Sequence, residues 1–235
     1  MEERLEEIAL SVIYSMYESF CRLCIIKIKE KEVNMKIRLE EEKDYFMNEN
    51  LTREAFWNVY RPGCYEHYIL HKIRTDKCYV KELSYVMEEK QRLIGSIVYA
   101  KGKIRNENGE NEVLLFGPVS ILPEYQGAGY GKKLIKYTLK KAKELGYPAV
   151  VITGKPEYYE KFGFKPASKY KIYYSGMENE KNPFFMVKVL DRHKMKGIYG
   201  IYTDPEVYMV DKEEVEQFDK KFPRKKREKR EGQLE

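Results

Sequence analysis

The chain has 235 residues, of which 43% are hydrophobic and 35% charged, with a formal net charge of +6. That is enough for one sizeable core, or one domain with appendages. Its apolar runs fall far short of the ~20 residues of a membrane-spanning helix, and its acidic opening, Met1 to Glu7, is unlike a signal peptide. A cytoplasmic protein with no membrane partner is expected.

The charge is unevenly placed. Residues 219–235 hold eight Lys or Arg against four Asp or Glu, which leaves the other residues at about +2. Contact with nucleic acid is therefore expected of the tail alone, if anywhere. Cysteines at 21, 24, 64 and 78 do not suggest a disulfide framework in a cytosolic chain. Cys21-Arg-Leu-Cys24 has no second pair and there are only three histidines, so no metal is expected.

In chain order, Leu5, Ile8, Ala9, Val12, Ile13, Met16, Phe20, Leu23 and Cys24 recur at three- and four-residue steps, predicting an amphipathic helix over residues 2 to about 30. Its apolar face needs a partner, either the domain behind it or a second copy of the chain. Met35–Leu39 reads as a strand and opens the core domain. Short helices are predicted over residues 41–57 and over 65–74, the latter carrying Glu66, His67, Tyr68 and His71. Residues 81–87 and 93–101 read as a hairpin, and the Asn-Gly turn at 106–111 leads to a strand over 112–122.

After that strand comes Gln126-Gly-Ala-Gly-Tyr-Gly131. A helix follows, with Leu134, Ile135, Thr138, Leu139, Ala142 and Leu145 on one side and lysines mostly on the other; Gly146 and Pro148 end it. A glycine-rich turn at a helix start suits an anion. The first-turn N–H groups lack partners, the helix dipole favours negative charge, and glycines let a bulky group approach. The spacing rejects two familiar cradles. A dinucleotide fingerprint from Gly127 needs glycine at Lys132, and a Walker loop needs glycine at Gln126 and Ser or Thr at Lys133.

Beyond Gly146, Ala149–Thr153 is a buried strand and residues 156–162 a short helix begun by proline. Strands are predicted from Phe164 and over 183–190, and residues 197–208 as an edge strand or covering loop. From Asp219 on, apolar periodicity is lost and disorder is expected. The elements predict an α/β fold with a mixed, mostly antiparallel sheet flanked by helices, an N-terminal helical extension over 1–33, a core over 34–215 and a basic, disordered tail over 216–235. Strands 112–122 and 149–153, joined through a helix, would run parallel.

Gln126, Gly129 and Gly131, as Gln-x-x-Gly-x-Gly, resemble the acetyl-CoA pyrophosphate loop of the GNAT superfamily of N-acetyltransferases. The resemblance covers residues 35 to about 190. Its second anchor is Tyr158-Tyr159-Glu-Lys-Phe-Gly-Phe164, which with Gly117-Pro118-Val119 is similar to the YhbS-like branch. It implies acetyl-CoA as cosubstrate and transfer to an amine of a small molecule or peptide in a ternary complex. In the family a bulge splays two parallel strands and pantetheine lies between them. The resemblance puts the Val119 N–H at the thioester oxygen, Ser120 and Ile121 along pantetheine, and Gln126, Gly127, Ala128, Gly129, Tyr130, Gly131 and Lys132 around the pyrophosphate.

It also makes Tyr159 the general acid for the departing thiolate; a phenol titrates near 10 and arrives protonated. The general base stays open. Leu115 stands where many members carry a glutamate, Glu112 lies nearer the strand start, and Glu66, His67 and His71 come from the acceptor-side helix. His67, an imidazole on that helix, is the candidate base or acceptor-site residue. A water chain is equally compatible. The rival reading is a non-catalytic module that binds or senses acyl-CoA.

Overall fold

The computed structural model describes residues 35–178 and 182–233. The expected N-terminal helix, its Cys21–Cys24 pair and a dimer formed through it lie outside the described residues. The chain divides into two compact units, Met1–Lys36 with Glu89–Arg92, and Ile37–Glu88 with Leu93–Glu235. Of the first, residues 89–92 form a hairpin turn in which Lys90 and Gln91 both have positive φ, the twist that suits a two-residue connection.

The sheet is mixed and mostly antiparallel. Its strands are β1 (Met35–Leu39), β2 (Tyr85–Glu89), β3 (Arg92–Asn106), β4 (Gly109–Ile121), β5 (Ala149–Thr153), β6 (Lys165–Pro166), β7 (Ile172–Tyr174), β8 (Phe185–Val189) and β9 (Gly200–Thr203). The order is β1-β2-β3-β4-β5-β8-β6, with β9 paired to both β3 and β7. The edge strand expected within 197–208 is thus β9. Lys81–Leu83, expected in a strand, is instead a single turn of 3₁₀ helix. As predicted, β4 and β5 are parallel.

Helices cover both faces: α1 (Tyr45–Phe56), α2 (Glu66–Ile73), α3 (Tyr130–Glu144), the short α4 (Pro156–Tyr159) and α5 (Lys212–Asp219). α3 buries Leu134, Ile135, Thr138, Leu139 and Ala142 against the sheet, as its period requires. Each buried aliphatic contributes roughly 1.5–3 kcal/mol. On the opposite face Leu70 and Ile73 of α2 join Val98, Leu115, Val151, Val187 and Tyr202 in one apolar cluster.

Two charged knots hold α1 and α2. The buried Arg74 guanidinium bonds Glu40 and Glu49, each at 2.6 Å, and Asn48 adds a 2.6 Å bond to Glu40. Charges this deep persist because each is paired and hydrogen-bonded. In the second knot, buried Arg53 bonds Asp219 at 2.6 Å and the Pro223 carbonyl at 3.0 Å.

The second knot corrects the expectation of a disordered tail. Phe222 is buried and stacks on Phe46 with ring centroids 5.2 Å apart. The Lys226 carbonyl accepts from Trp57 Nε1 (2.9 Å) and Asn58 Nδ2 (3.1 Å), and Gln233 donates to the Asn58 carbonyl at 2.8 Å. Backbone bonds and one aromatic anchor thus fix a segment whose composition resembles a solvated tail. Burial pushes the Asp219 carboxyl pKa up, but His67 and Arg53 outweigh it and hold it well below the usual range.

Asp219→Ala leaves Arg53 buried without its partner and is expected to cost about 3 kcal/mol, lowering the melting temperature by roughly 6–12 °C. Because the native pKa is depressed, this contribution is complete above about pH 4 and fades as pH falls below it. A variant that melts within 2 °C of wild type would show that Asp219 does not hold the segment.

Candidate active site

The site grows from one irregularity in β4. In the β3–β4 ladder Ile97 faces Val119 and Tyr99 faces Phe116, so one residue of β3 is opposed by two of β4, Gly117 and Pro118. This is a β-bulge. Pairing of β4 with β5 runs through Leu114↔Val150 and Leu115↔Val151 and goes no further. Past the bulge, the edge of β4 that faced β5 is open.

Which groups face that opening follows from the ladder. Leu122 N–H bonds the Ile94 carbonyl at 3.0 Å, and Ser96 pairs with Ser120. Bonded and non-bonded pairs alternate in an antiparallel ladder. Val119 and Ile121 therefore turn their N–H and C=O groups away from β3. The Gln126 side-chain amide donates to the outward Ile121 carbonyl at 2.9 Å. Ser120 points the other way and its hydroxyl bonds Thr52 of α1 at 3.0 Å, both side chains fully buried.

Residues 126–132 follow directly. Gly127 and Gly129 have φ of +76° and +85°, and Gly129 caps α3. The first turn donates inward only from Lys133, whose N–H reaches the Gly129 carbonyl, so the amides before it point out of the helix end. Ala128, Gly129 and Lys132 are exposed, while Tyr130 and Gly131 are half-buried. A methyl group added at Gly131 would stand 3.2 Å from the Tyr158 hydroxyl and 3.7 Å from Ile121. Loop, strand edge and α4 therefore converge.

Tyr159 lies against Phe116 and Phe164, with centroids 6.1 and 5.8 Å away, and any side chain at Gly154 would collide with its ring. Burial, with the neighbouring Tyr158 and Tyr60 phenols, raises its pKa well above 10. It stays protonated at every physiological pH.

His67 must be withdrawn from the site. It is fully buried, with Nδ1 3.3 Å from Cys64 Sγ and Nε2 3.3 Å from Asp219, and its ring lies under Phe218 and Phe222. The face of α2 that carries it points into the tail-binding core, so no amine can reach it. Burial likewise pushes the Cys64 thiol far up, and it is no nucleophile. Sequence reasoning also missed Thr52 and Tyr208. The Tyr208 hydroxyl donates to the Gly117 carbonyl at 2.8 Å across 91 residues, and no local pattern marks such a pair among 21 tyrosines.

Residues 81–166 match the model of the acetyltransferase (GNAT) domain. Over that stretch the chain is similar to a GNAT domain. Over 91 residues it is 28% identical to the uncharacterized N-acetyltransferase YjhQ of Escherichia coli, covering 39% of this chain and 50% of YjhQ. It thus spans half the length of that relative. It is 26% identical over 135 residues to the uncharacterized N-acetyltransferase YhbS of Escherichia coli, covering 57% of this chain and 77% of YhbS. Its GNAT fold is shared with the crystal structure of YhbS in complex with CoA, with a TM-score of 0.65 and 23% identity over 75% of this chain and 93% of that one. A GNAT family acetyltransferase from Brucella melitensis in complex with acetyl-CoA superposes with a TM-score of 0.60 at 26% identity, covering 74% and 97% of the two chains. No helix among the described residues is long and apolar enough to cross a membrane, and none of their His, Cys, Asp and Glu groups could hold a metal ion.

The loop geometry makes a direct prediction about Gly129. No atom would meet a methyl group there, so only its left-handed backbone opposes a side chain. Gly129→Ala should cost roughly 1–2 kcal/mol, read from denaturant melts. No loss would mean the loop does not hold this conformation.

Proposed function

We propose that this GNAT domain transfers an acetyl group from acetyl-CoA to an amine, directly and within a ternary complex. The observation that carries the reading is the open β4 edge, with the outward Val119 and Ile121 amides running into the glycine-led start of α3. Val119 N–H is assigned to the thioester oxygen and Ile121 to the pantetheine stretch, whereas Ser120, paired with Ser96 and bonded to Thr52 through its buried hydroxyl, turns away from it. Gln126, Gly127, Ala128, Gly129, Tyr130, Gly131 and Lys132 are assigned to the pyrophosphate. The homologous Brucella protein, crystallised with acetyl-CoA, supports that ligand.

The chemistry follows from these assignments. A neutral amine attacks the thioester carbon, and the developing oxyanion meets a fixed backbone donor, which gains strength from exclusion of water. The C–S bond then breaks, Tyr159 gives its proton to sulfur, the amine's proton passes to solvent water, and the Tyr159 phenolate takes a proton back from solvent. The raised Tyr159 pKa makes the phenol a reluctant acid in isolation. The same desolvation raises the proton affinity of a thiolate released beside it, which restores the match. No covalent acyl-enzyme is assigned, since Cys64 is enclosed and fully protonated.

Leu115, where many family members place a glutamate, keeps the acyl-CoA-sensing alternative in view, for its side chain is buried in the core. Thiol release from acetyl-CoA in the presence of an amine panel separates the two. Tyr159→Phe should lower kcat by about 10²- to 10⁴-fold with acetyl-CoA affinity nearly intact, and unchanged turnover would remove its acid role. Gly129→Glu should abolish acetyl-CoA binding by setting bulk and negative charge against the pyrophosphate. Turnover should rise with pH as the amine deprotonates, and Tyr159 should impose no alkaline decline below about pH 10.

A further inference from the structure

The bulge that opens β4 needs to be held in place, and its own backbone offers little to hold it with. Pro118 has no N–H to donate, and Gly117, at φ +153°, sits where side chains are rarely found. The Gly117 carbonyl is met from outside the sheet by the Tyr208 hydroxyl at 2.8 Å. A carbonyl cannot donate, so this phenol is fixed as the donor. Tyr208 ends a short helical turn, Glu206–Tyr208, that packs on α2, and its ring lies against the apolar cluster beneath the sheet. Burial raises its pKa well above 10, which keeps the proton in place.

We infer that Tyr208 is a positioning residue for the acetyl-transfer site, clamping the Gly117 carbonyl so that the Val119 N–H two residues on is aimed at the thioester oxygen. The inference rests on the cofactor reading above and adds to it the residue that sets the oxyanion donor. Tyr208 itself touches no reacting atom. Its effect passes through two rigid peptide units, and a displacement of about 1 Å at such a donor can cost ~10²-fold in rate.

The test uses the full chain and acetyl-CoA labelled with ¹³C at the thioester carbonyl, and needs no known acceptor. In wild type, bound acetyl-CoA should show a carbonyl stretch lowered from its value in solution by the hydrogen bond to Val119. Tyr208→Phe should bind acetyl-CoA within about twofold of wild type by calorimetry while losing more than half of that lowering. Placing p-aminophenylalanine at 208, which keeps the ring and a weaker donor, should give an intermediate frequency and covers the case in which the phenylalanine variant folds poorly. With hydroxylamine as acceptor, kcat should fall at least tenfold in Tyr208→Phe with the KM for acetyl-CoA unchanged, a split that a merely structural loss would not give. Identical carbonyl frequencies across the series would overturn the inference alone. Failure of the wild-type chain to bind acetyl-CoA would overturn the cofactor reading, and the inference with it.

Discussion

The extra residue that β4 carries at Gly117–Pro118 is the constraint on which the rest of the site depends. A continuous ladder between β4 and β5 would consume every outward amide of residues 116–121 in pairing. The bulge ends that pairing after Leu115 and leaves Val119 and Ile121 pointing into open space. The price is an interrupted ladder, offset by bonds from elsewhere: Tyr208 to Gly117, Gln126 to Ile121, and Ser120 to Thr52. Each partner belongs to a different part of the chain, so the strand edge is fixed by these bonds together with its ladder to β3.

Helices α1 and α2 are held by a different kind of force. α1 and α2 bury charge, and one knot closes between them through Arg74, Glu40 and Glu49 while the other needs a segment distant in sequence. Arg53 reaches Asp219 across 166 residues, and Trp57 and Asn58 bond a backbone carbonyl of the basic segment. The C-terminal residues are therefore structural for the loop between α1 and α2. Tyr60, on that loop, is one of the phenols that bear on Tyr159. His67 belongs to this support, not to the site.

What was legible in the sequence were the features with local causes. The period of α3, the glycines of its cap, the proline that starts α4 and the parallel pairing of β4 with β5 each follow from a few adjacent residues. The likeness of Gln126–Gly131 and Tyr158–Phe164 to GNAT patterns led to the family, which the match over residues 81–166 bears out. What escaped the sequence was non-local. A basic stretch with one phenylalanine looks solvated until Phe46 and Arg53 are known to face it. A histidine on an amphipathic helix looks available until the covering segment is in place. Tyr208 carries no local mark at all, because its only distinction is the carbonyl it meets.

The central claim is that the opened β4 edge and the α3 cap together hold acetyl-CoA. Calorimetric titration of the full chain with acetyl-CoA, with desulfo-CoA and NAD as comparisons, tests it most directly. The account predicts saturable binding of acetyl-CoA at one site per chain, retained binding of desulfo-CoA, which keeps the pyrophosphate arm, and none of NAD. Absence of acetyl-CoA binding would reduce residues 126–132 to a helix cap and contradict the account.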